Sequence, residues 1–432
     1  MPRKLLLIVI VLVGVGCDAR THLIATPTIA LGERGREAFD AVPSDQRVQS
    51  MRIIYAADRD IVKKTPLGIQ YGSGRSGQLA VGVASIGMDR AMDWDDLVTA
   101  STQQRWPESG GRRPAMRIES TEEIGRIAIP LKEMGVLDGR YQLNDAQKAE
   151  VEQTRDRLHA LIREGLKDTD KKDVYLYVHG FNNTFEYALY RLSMFWHFAG
   201  RPGVAVAYTW PAGRGGLTGY AYDRESGEFT VFHLKLFIRA LAASPDIERL
   251  HIIGHSRGCD VVCTALRELN IEARAKNLRT QEQLKLHNLV LAAPDLDADV
   301  FEQRFAIEDL HLAAKRTTIY LSKTDFALAA SAWLFGGNRV GNLTPENFSP
   351  DARRKLAQLK SFHIVNCNVS GYSTSHDYAF AHPAVTSDVI LLLRDDRNPG
   401  ADHGRPLGSE FEGMWEIDND YLLPAPAAAG GK

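Results

Sequence analysis

Apolar and polar positions alternate with a period of two over residues 52–56, 79–85, 116–120 and 126–130, the spacing of strands that bury one face. The polar stretch 105–114, with Gly110-Gly111, reads as a loop among them. Asn144 stands where a helix cap belongs, and Val151, Leu158 and Leu161 predict one apolar helical face to about residue 166. From residue 174 the rhythm changes. Short unbroken apolar runs at 174–178, 204–208, 250–253, 286–292, 317–321 and 362–365 alternate with helical patterns, those at 184–198, 232–243 and 258–269 being the clearest. Unbroken apolar strands separated by helices predict a mostly parallel, doubly wound sheet, because such strands have no face left for water. The expected organisation is a β-rich part over 48–140 and an α/β core over 141–395. Residues 18–47 carry weak periodicity and are expected to be a linker. The segment 396–432, ending Pro-Ala-Pro-Ala-Ala-Ala-Gly-Gly-Lys, is expected to be a disordered tail.

Composition narrows the function classes. With 44% hydrophobic and 25% charged residues, the 432-residue chain has the make-up of a globular protein with a large core. A net charge of −2 and the lack of a basic, aromatic-laced stripe argue against a nucleic-acid partner. The four cysteines, Cys17, Cys259, Cys263 and Cys367, form no C-x-x-C pair and no zinc pattern, so no metal site is expected. Cys259 and Cys263 lie four apart on a predicted helix, where two small buried apolar side chains are expected rather than a disulfide.

The N-terminus has its own chemistry. Arg3 and Lys4 precede an apolar run from Leu5 to Val15, followed by Gly16 and Cys17. That run is too short to span a bilayer of about 30 Å. A basic start, a short apolar stretch and small residues make up an export signal over 1–17. Cys17 after Gly14-Val15-Gly16 resembles a bacterial lipoprotein cleavage site, which makes Cys17 the lipidation candidate. Asp18 resembles an inner-membrane retention signal. The expectation is an exported, membrane-anchored lipoprotein of the bacterial envelope, with a periplasmic or secreted protein, or an uncleaved anchor, as alternatives.

Gly254-His255-Ser256-Arg257-Gly258 is a G-x-S-x-G pentapeptide placed directly after a strand and opening a helix, the setting of a nucleophile elbow. The glycines let strand and helix approach, and the turn lifts the Ser256 hydroxyl above the sheet edge. A serine hydroxyl needs a base, and the base an orienting acid. In serine hydrolases built this way the chain order is Ser, then Asp or Glu, then His. Asp325, just past the run at 317–321, and His376, past the run at 362–365, fall in that order. Asp295 and Asp297 are alternative acids, and His382 an alternative base. His363, inside an apolar strand, reads as a core histidine, and Asp260 as a carboxylate of the first helical turn. The loop His179-Gly180-Phe181-Asn182 stands where an oxyanion-binding backbone N–H is expected, from Phe181 or Asn182, with Arg257 N–H as the second donor.

These motifs resemble a bacterial branch of the α/β hydrolases, an esterase/lipase-like family of unknown function. The likeness rests on Val-His-Gly-Phe-Asn-Asn-Thr-Phe-Glu at 178–186, Thr209-Trp210-Pro211, Tyr222-Asp223-Arg224-Glu225 and the Gly-His-Ser pentapeptide. It continues through Ala293-Pro294-Asp295, Ser322, Asp325, Ala327-Leu328, Gly336-Gly337, Arg339 and Gly341 to Ser375-His376 and Tyr378. Upstream it includes Tyr55, Asp58-Arg59 and Gly72-Ser73-Gly74-Arg75, so that it covers about 52–393. It implies an α/β-hydrolase fold with an N-terminal β-rich extension, and Ser256, Asp325 and His376 as the triad. One departure is Arg257, where the family carries Met or another apolar residue. Arg257 and Arg214 are expected to be solvated surface arginines, with contact to an anionic substrate as the alternative. The expectation is a serine hydrolase, a carboxylesterase-like enzyme acting on a small-molecule acyl substrate through an acyl-enzyme, with no cofactor. The alternative is a non-catalytic envelope binding protein on the same scaffold. Substrate identity and oligomeric state are left open.

Overall fold

The computed structural model describes residues 21–103, 113–371 and 376–423. Eleven strands join in one sheet: β1 (Met51–Thr65), β2 (Gly68–Met88), β3 (Met116–Ala128), β4 (Asp173–Val178), β5 (Val204–Thr209), β6 (Arg249–His255), β7 (Leu286–Ala292), β8 (Arg316–Leu321), β9 (Phe362–Cys367), β10 (Gly408–Phe411) and β11 (Met414–Ile417). Across the sheet the order is β10-β11-β9-β8-β7-β6-β4-β5-β1-β2-β3. Every pairing from β1 to β11 through the centre is parallel. Only β2 and β10 run against that direction. All six residues of β4, β5, β8 and β9 are buried, as their unbroken apolar runs require.

Helices cover both faces. On one lie α1 (Asp145–Leu166), α3 (Gly216–Ala242) and α4 (Gly258–Ala275), which pack Leu158, Ile162, Leu234, Phe237, Val262 and Leu266 into one core. On the other lie α2 (Phe185–Phe198) and α6 (Pro383–Leu393), with Leu189, Phe195, Val389 and Leu392 in a second core. Asn144 caps α1 in a capping box with Gln147, and Thr184 caps α2. The chain leaves β4 through α2 to reach β5 on one side, then crosses by α3 to β6 on the other side of β4. The two crossovers use opposite faces, so a crevice opens at the carboxyl ends of β4 and β6, where sheets of this kind bind ligands.

Three expectations need correction. Residues 21–47 are not a loose linker: they hold the helix Gly32–Asp40, bury Leu23, Ile29 and Phe39, and tie Ile29 N–H to Ser387 Oγ at 3.0 Å. Residues 396–423 are not a disordered tail, since they contribute β10 and β11 and a buried Arg405. The Arg405 guanidinium holds Asp388 of α6 at 2.7 Å, and the Tyr421 hydroxyl donates to the same carboxylate at 2.7 Å. The segments 116–120 and 126–130 are not two strands but largely one, β3, whose register against β2 shifts three times and so breaks the alternation. The export signal and Cys17 lie outside the described residues, as does the end of the tail from 424 onward. No helix among the described residues is long and apolar enough to cross a membrane.

Candidate active site

Ser256 sits in the turn between β6 and α4 with φ of +53°, a left-handed conformation that a non-glycine residue adopts only where its surroundings hold it. Its N–H donates to Ala292 O at 2.9 Å, and its carbonyl accepts from Asp295 N–H at 3.2 Å. The turn is too tight for side chains at two flanking positions. A Cβ on Gly258 would come within 2.3 Å of His179 O, and one on Gly180 within 2.6 Å of Ser256 Cβ. The 179–183 loop therefore passes directly over the serine.

Three buried groups brace that loop. Arg59, on β1, donates to Ala212 O at 2.8 Å and Asn183 O at 2.8 Å, and its Nη2 lies 3.1 Å from His179 Nε2. Burial lowers its pKa to about 10, against the nearby carboxylates. Trp210 stacks on the His179 ring and donates to His179 O at 2.6 Å. Asp223, on α3, accepts from Asn182 N–H at 2.9 Å and Gly213 N–H at 3.2 Å. Burial raises its pKa to about 6, against those bonds and the charges of Arg59 and Arg214. Asn182 N–H is thus already spent on Asp223 and is removed as an oxyanion donor. Among the described residues the N–H groups of Phe181 and Arg257 have no such partner.

Asp325, fully buried, caps the helix α5 (Phe326–Phe335): its Oδ1 accepts from Ala327 N–H and Leu328 N–H at 3.1 Å each. Its Oδ2 lies 2.7 Å from His376 Nδ1. Burial disfavours a charged His376, but the carboxylate of Asp325, aided by Asp377 and Asp295, outweighs it and raises the pKa to about 9. His376 keeps 22% of its side chain exposed. Its loop is clamped from the other side by Asp377, whose Oδ2 takes Arg191 Nη2 at 2.6 Å and the Tyr187 hydroxyl at 3.0 Å. Asp377 is itself held ionised: burial works against its charge, yet Arg191, His255 and His376 bring the pKa down to about 2. His255, next to the serine, lies 5.1 Å from the His376 ring, with its Nε2 3.3 Å from His376 O. Burial first, then the charge of His376, lowers its pKa to about 4, so it stays neutral. Among the described residues no hydrogen bond joins the Ser256 hydroxyl to His376. In sites without substrate such bonds are often long or misaligned and tighten only in the complex.

The alternatives are placed elsewhere. Asp295 accepts from the hydroxyls of Tyr220 at 2.7 Å and Ser331 at 2.9 Å, and Asp297 caps the short helix Ala298–Phe301. His382 caps α6, accepting from Ala384 N–H. His363 lies buried in β9, where burial, then the charges of Arg405 and Arg316, lower its pKa to about 3. Arg257 is no free cation: its guanidinium reaches Asp295 O at 3.2 Å and Asp260 at 2.8 Å, and it is buried. Arg214 is exposed, with its Cζ 3.5 Å from the centre of the Tyr222 ring. Cys259 and Cys263 are free, buried thiols. No group of three His, Cys, Asp or Glu among the described residues is arranged to hold a metal ion.

Sequence reasoning missed Arg59, Asp223, His255, Asp377 and Arg191 as parts of this assembly. A signal existed for Arg59, a cation following an apolar strand run, and for Asp223, an acid within a motif. Nothing local marks Arg191, an arginine on the buried face of α2.

A family model described as alpha/beta hydrolase of unknown function (DUF900) matches residues 154–395, more than half of the chain. No curated protein matches the chain.

Proposed function

The chain belongs to these alpha/beta hydrolases of unknown function, and from that premise we propose a serine hydrolase that cleaves a carboxylic ester through an acyl-enzyme. Ser256 Oγ attacks the carbonyl carbon while His376 Nε2 takes its proton; the Asp325 carboxylate holds the Nδ1 hydrogen and so fixes the tautomer. The oxygen of the tetrahedral intermediate accepts from Phe181 N–H and Arg257 N–H, aided by the N-terminus of α4. The C–O bond then breaks, and the departing alcohol takes the proton from His376. Water repeats the sequence, releasing the carboxylic acid and restoring Ser256. The observation that carries this reading is the Asp325 Oδ2 to His376 Nδ1 contact of 2.7 Å, made by a buried carboxylate beside the crevice in which Ser256 stands. A fluorophosphonate probe is expected to label the wild type and not Ser256→Ala, and short p-nitrophenyl esters are expected to be turned over. Equal labelling of both proteins refutes the mechanism. Labelling and turnover both absent leave the scaffold a binding module.

The same proposal places the enzyme on a bacterial membrane through lipid on Cys17, next to Asp18. Cys17→Ala is expected to move the protein from the membrane to the soluble fraction. Unchanged fractionation, with an unlipidated mass for the wild type, refutes the anchor.

A further inference from the structure

An aromatic path leads outward from the serine's turn. The Phe181 ring lies 5.2 Å from Tyr220, and Tyr220 stacks on Phe335 at 4.7 Å and 17°. Phe335 is the last residue of α5, the helix that Asp325 caps. Tyr220 is buried between these two rings with its hydroxyl engaged by Asp295 and Ser331, so it joins Phe181 to the exposed Phe335 without adding a free polar group.

The helix at the end of this path is unusual for a protein surface. Its sequence, Phe-Ala-Leu-Ala-Ala-Ser-Ala-Trp-Leu-Phe, has no charged residue and is apolar all round. Helices of that kind belong in a core or against lipid. Here only Leu328, Ala330 and Ser331 are buried, while Phe326, Trp333 and Phe335 are 70, 58 and 47% exposed. Phe326 and Trp333, seven residues apart, share one helical face, whereas Phe335, the last residue of the helix, lies on the other side against Tyr220. Leu217, on the first turn of α3 and three residues before Tyr220, is 48% exposed. Single exposed apolar side chains are ordinary; a cluster adjoining a candidate active site is not.

Whatever extends from a carbonyl held by Phe181 N–H meets the Phe181 ring first, then Tyr220 and Phe335. At the far end of that line the Arg339 guanidinium stands 6.0 Å from the centre of the Phe335 ring, paired with Asp295 at 3.6 Å. We propose that the substrates are long-chain acyl esters, the acyl chain lying along Phe181 and Phe335, over the buried Tyr220, and passing round the C-terminal end of α5 toward Trp333. This rests on the esterase reading above and adds the substrate class.

The test is a p-nitrophenyl ester series from acetate to dodecanoate, kept monomeric, with the wild type, Trp333→Ser and Phe335→Ser. In the wild type kcat/KM is expected to rise about two- to fourfold with each added methylene until the strip is filled, from roughly 0.8 kcal/mol per buried methylene. In the variants the octanoate-to-acetate ratio of kcat/KM is expected to fall by about tenfold or more, from the same burial. Circular dichroism checks that both variants fold. No turnover of any ester sinks the esterase reading itself. Turnover with no chain-length rise, or with an unchanged ratio in both variants, overturns only the acyl-chain assignment. Dimerisation lost in the variants would give the face to a second copy. Binding to anionic or neutral phospholipid vesicles without chain-length preference would give it to a membrane surface. Either outcome also overturns the proposal.

Discussion

Replacing Asp325 by Asn isolates what the buried carboxylate does to the base. Asparagine caps a helix about as well as aspartate, so α5 keeps its first turn and the fold is expected to survive. The charge facing His376 is lost. In the wild type that charge, with those of Asp377 and Asp295, overcomes burial and lifts His376 from its ordinary value near 6.5 to about 9. The net gain for the protonated form is about 3 kcal/mol at 1.36 kcal/mol per unit. Asp325 is the nearest of the three carboxylates, so its removal gives burial the upper hand. The base works only when neutral. The acid limb of kcat/KM is therefore expected well above 6.5 in the wild type, and roughly two units or more lower in Asp325→Asn. The plateau of the variant should also fall steeply, by roughly 10⁴ if the imidazole takes the wrong tautomer. The assay is kcat/KM for a short p-nitrophenyl ester from about pH 5 to pH 10, corrected for spontaneous hydrolysis. A limb at the same pH in both proteins would refute the assignment of Asp325 as the partner of the titrating base.

Further outcomes follow from the same geometry. The folded pKa of His376 lies above its unfolded value, so the pair contributes stability that is complete below about pH 6.5 and lost as pH rises through about 9. The melting-temperature advantage of the wild type over Asp325→Asn should shrink across that window, and an advantage growing with pH would contradict it. Asp223→Ala removes the acceptor that holds Asn182 N–H and Gly213 N–H, and kcat is expected to fall by about tenfold or more with little change in KM, up to the roughly 10²–10³ lost with a whole oxyanion donor. An unchanged kcat would mean that the loop holds itself. Arg405→Met strands the charge of Asp388 in the core, and urea unfolding should show a loss of about 3–5 kcal/mol. A loss under about 1 kcal/mol would show that Tyr320 and Tyr421 suffice to satisfy Asp388.

How far the site could be read from the chain depends on how local its determinants are. The elbow was legible because strand, serine, glycine and helix are consecutive, and because Gly258 and Gly180 answer to backbone crowding that only glycine tolerates. Asp325 and His376 could be paired by order along the sheet, since each lies in the connection that follows its strand. The central strands announced themselves because both of their faces are buried. The edges did not. β10 and β11 are short and half exposed, and what holds their segment is Asp388 meeting Arg405 and Tyr421, with Arg405 also on the Tyr320 hydroxyl, contacts made across the chain and carrying no local pattern. The same holds for the linker that proved to be packed: Phe39 reads as an isolated apolar residue until Trp94 and His197 close on it.

His376 hangs between two clamps that sequence order does not reveal: Asp377 with Arg191 and Tyr187 of α2 on one side, and Asp325 at the head of α5 on the other. Two residues on, the Tyr378 hydroxyl donates to Tyr320 O at 3.0 Å, and the Tyr320 hydroxyl belongs to the Asp388–Arg405 cluster. Ser256 is therefore positioned by its own strand-to-helix turn and by the ends of the neighbouring sheet strands, whereas His376 is positioned by helices before it and by the C-terminal segment after it. Damage to the distant cluster should disturb the imidazole while leaving the serine's turn intact. Such variants would still present the Ser256 backbone geometry yet displace the proposed proton acceptor, so His376, rather than the elbow, is the part of the candidate site that depends on the whole fold.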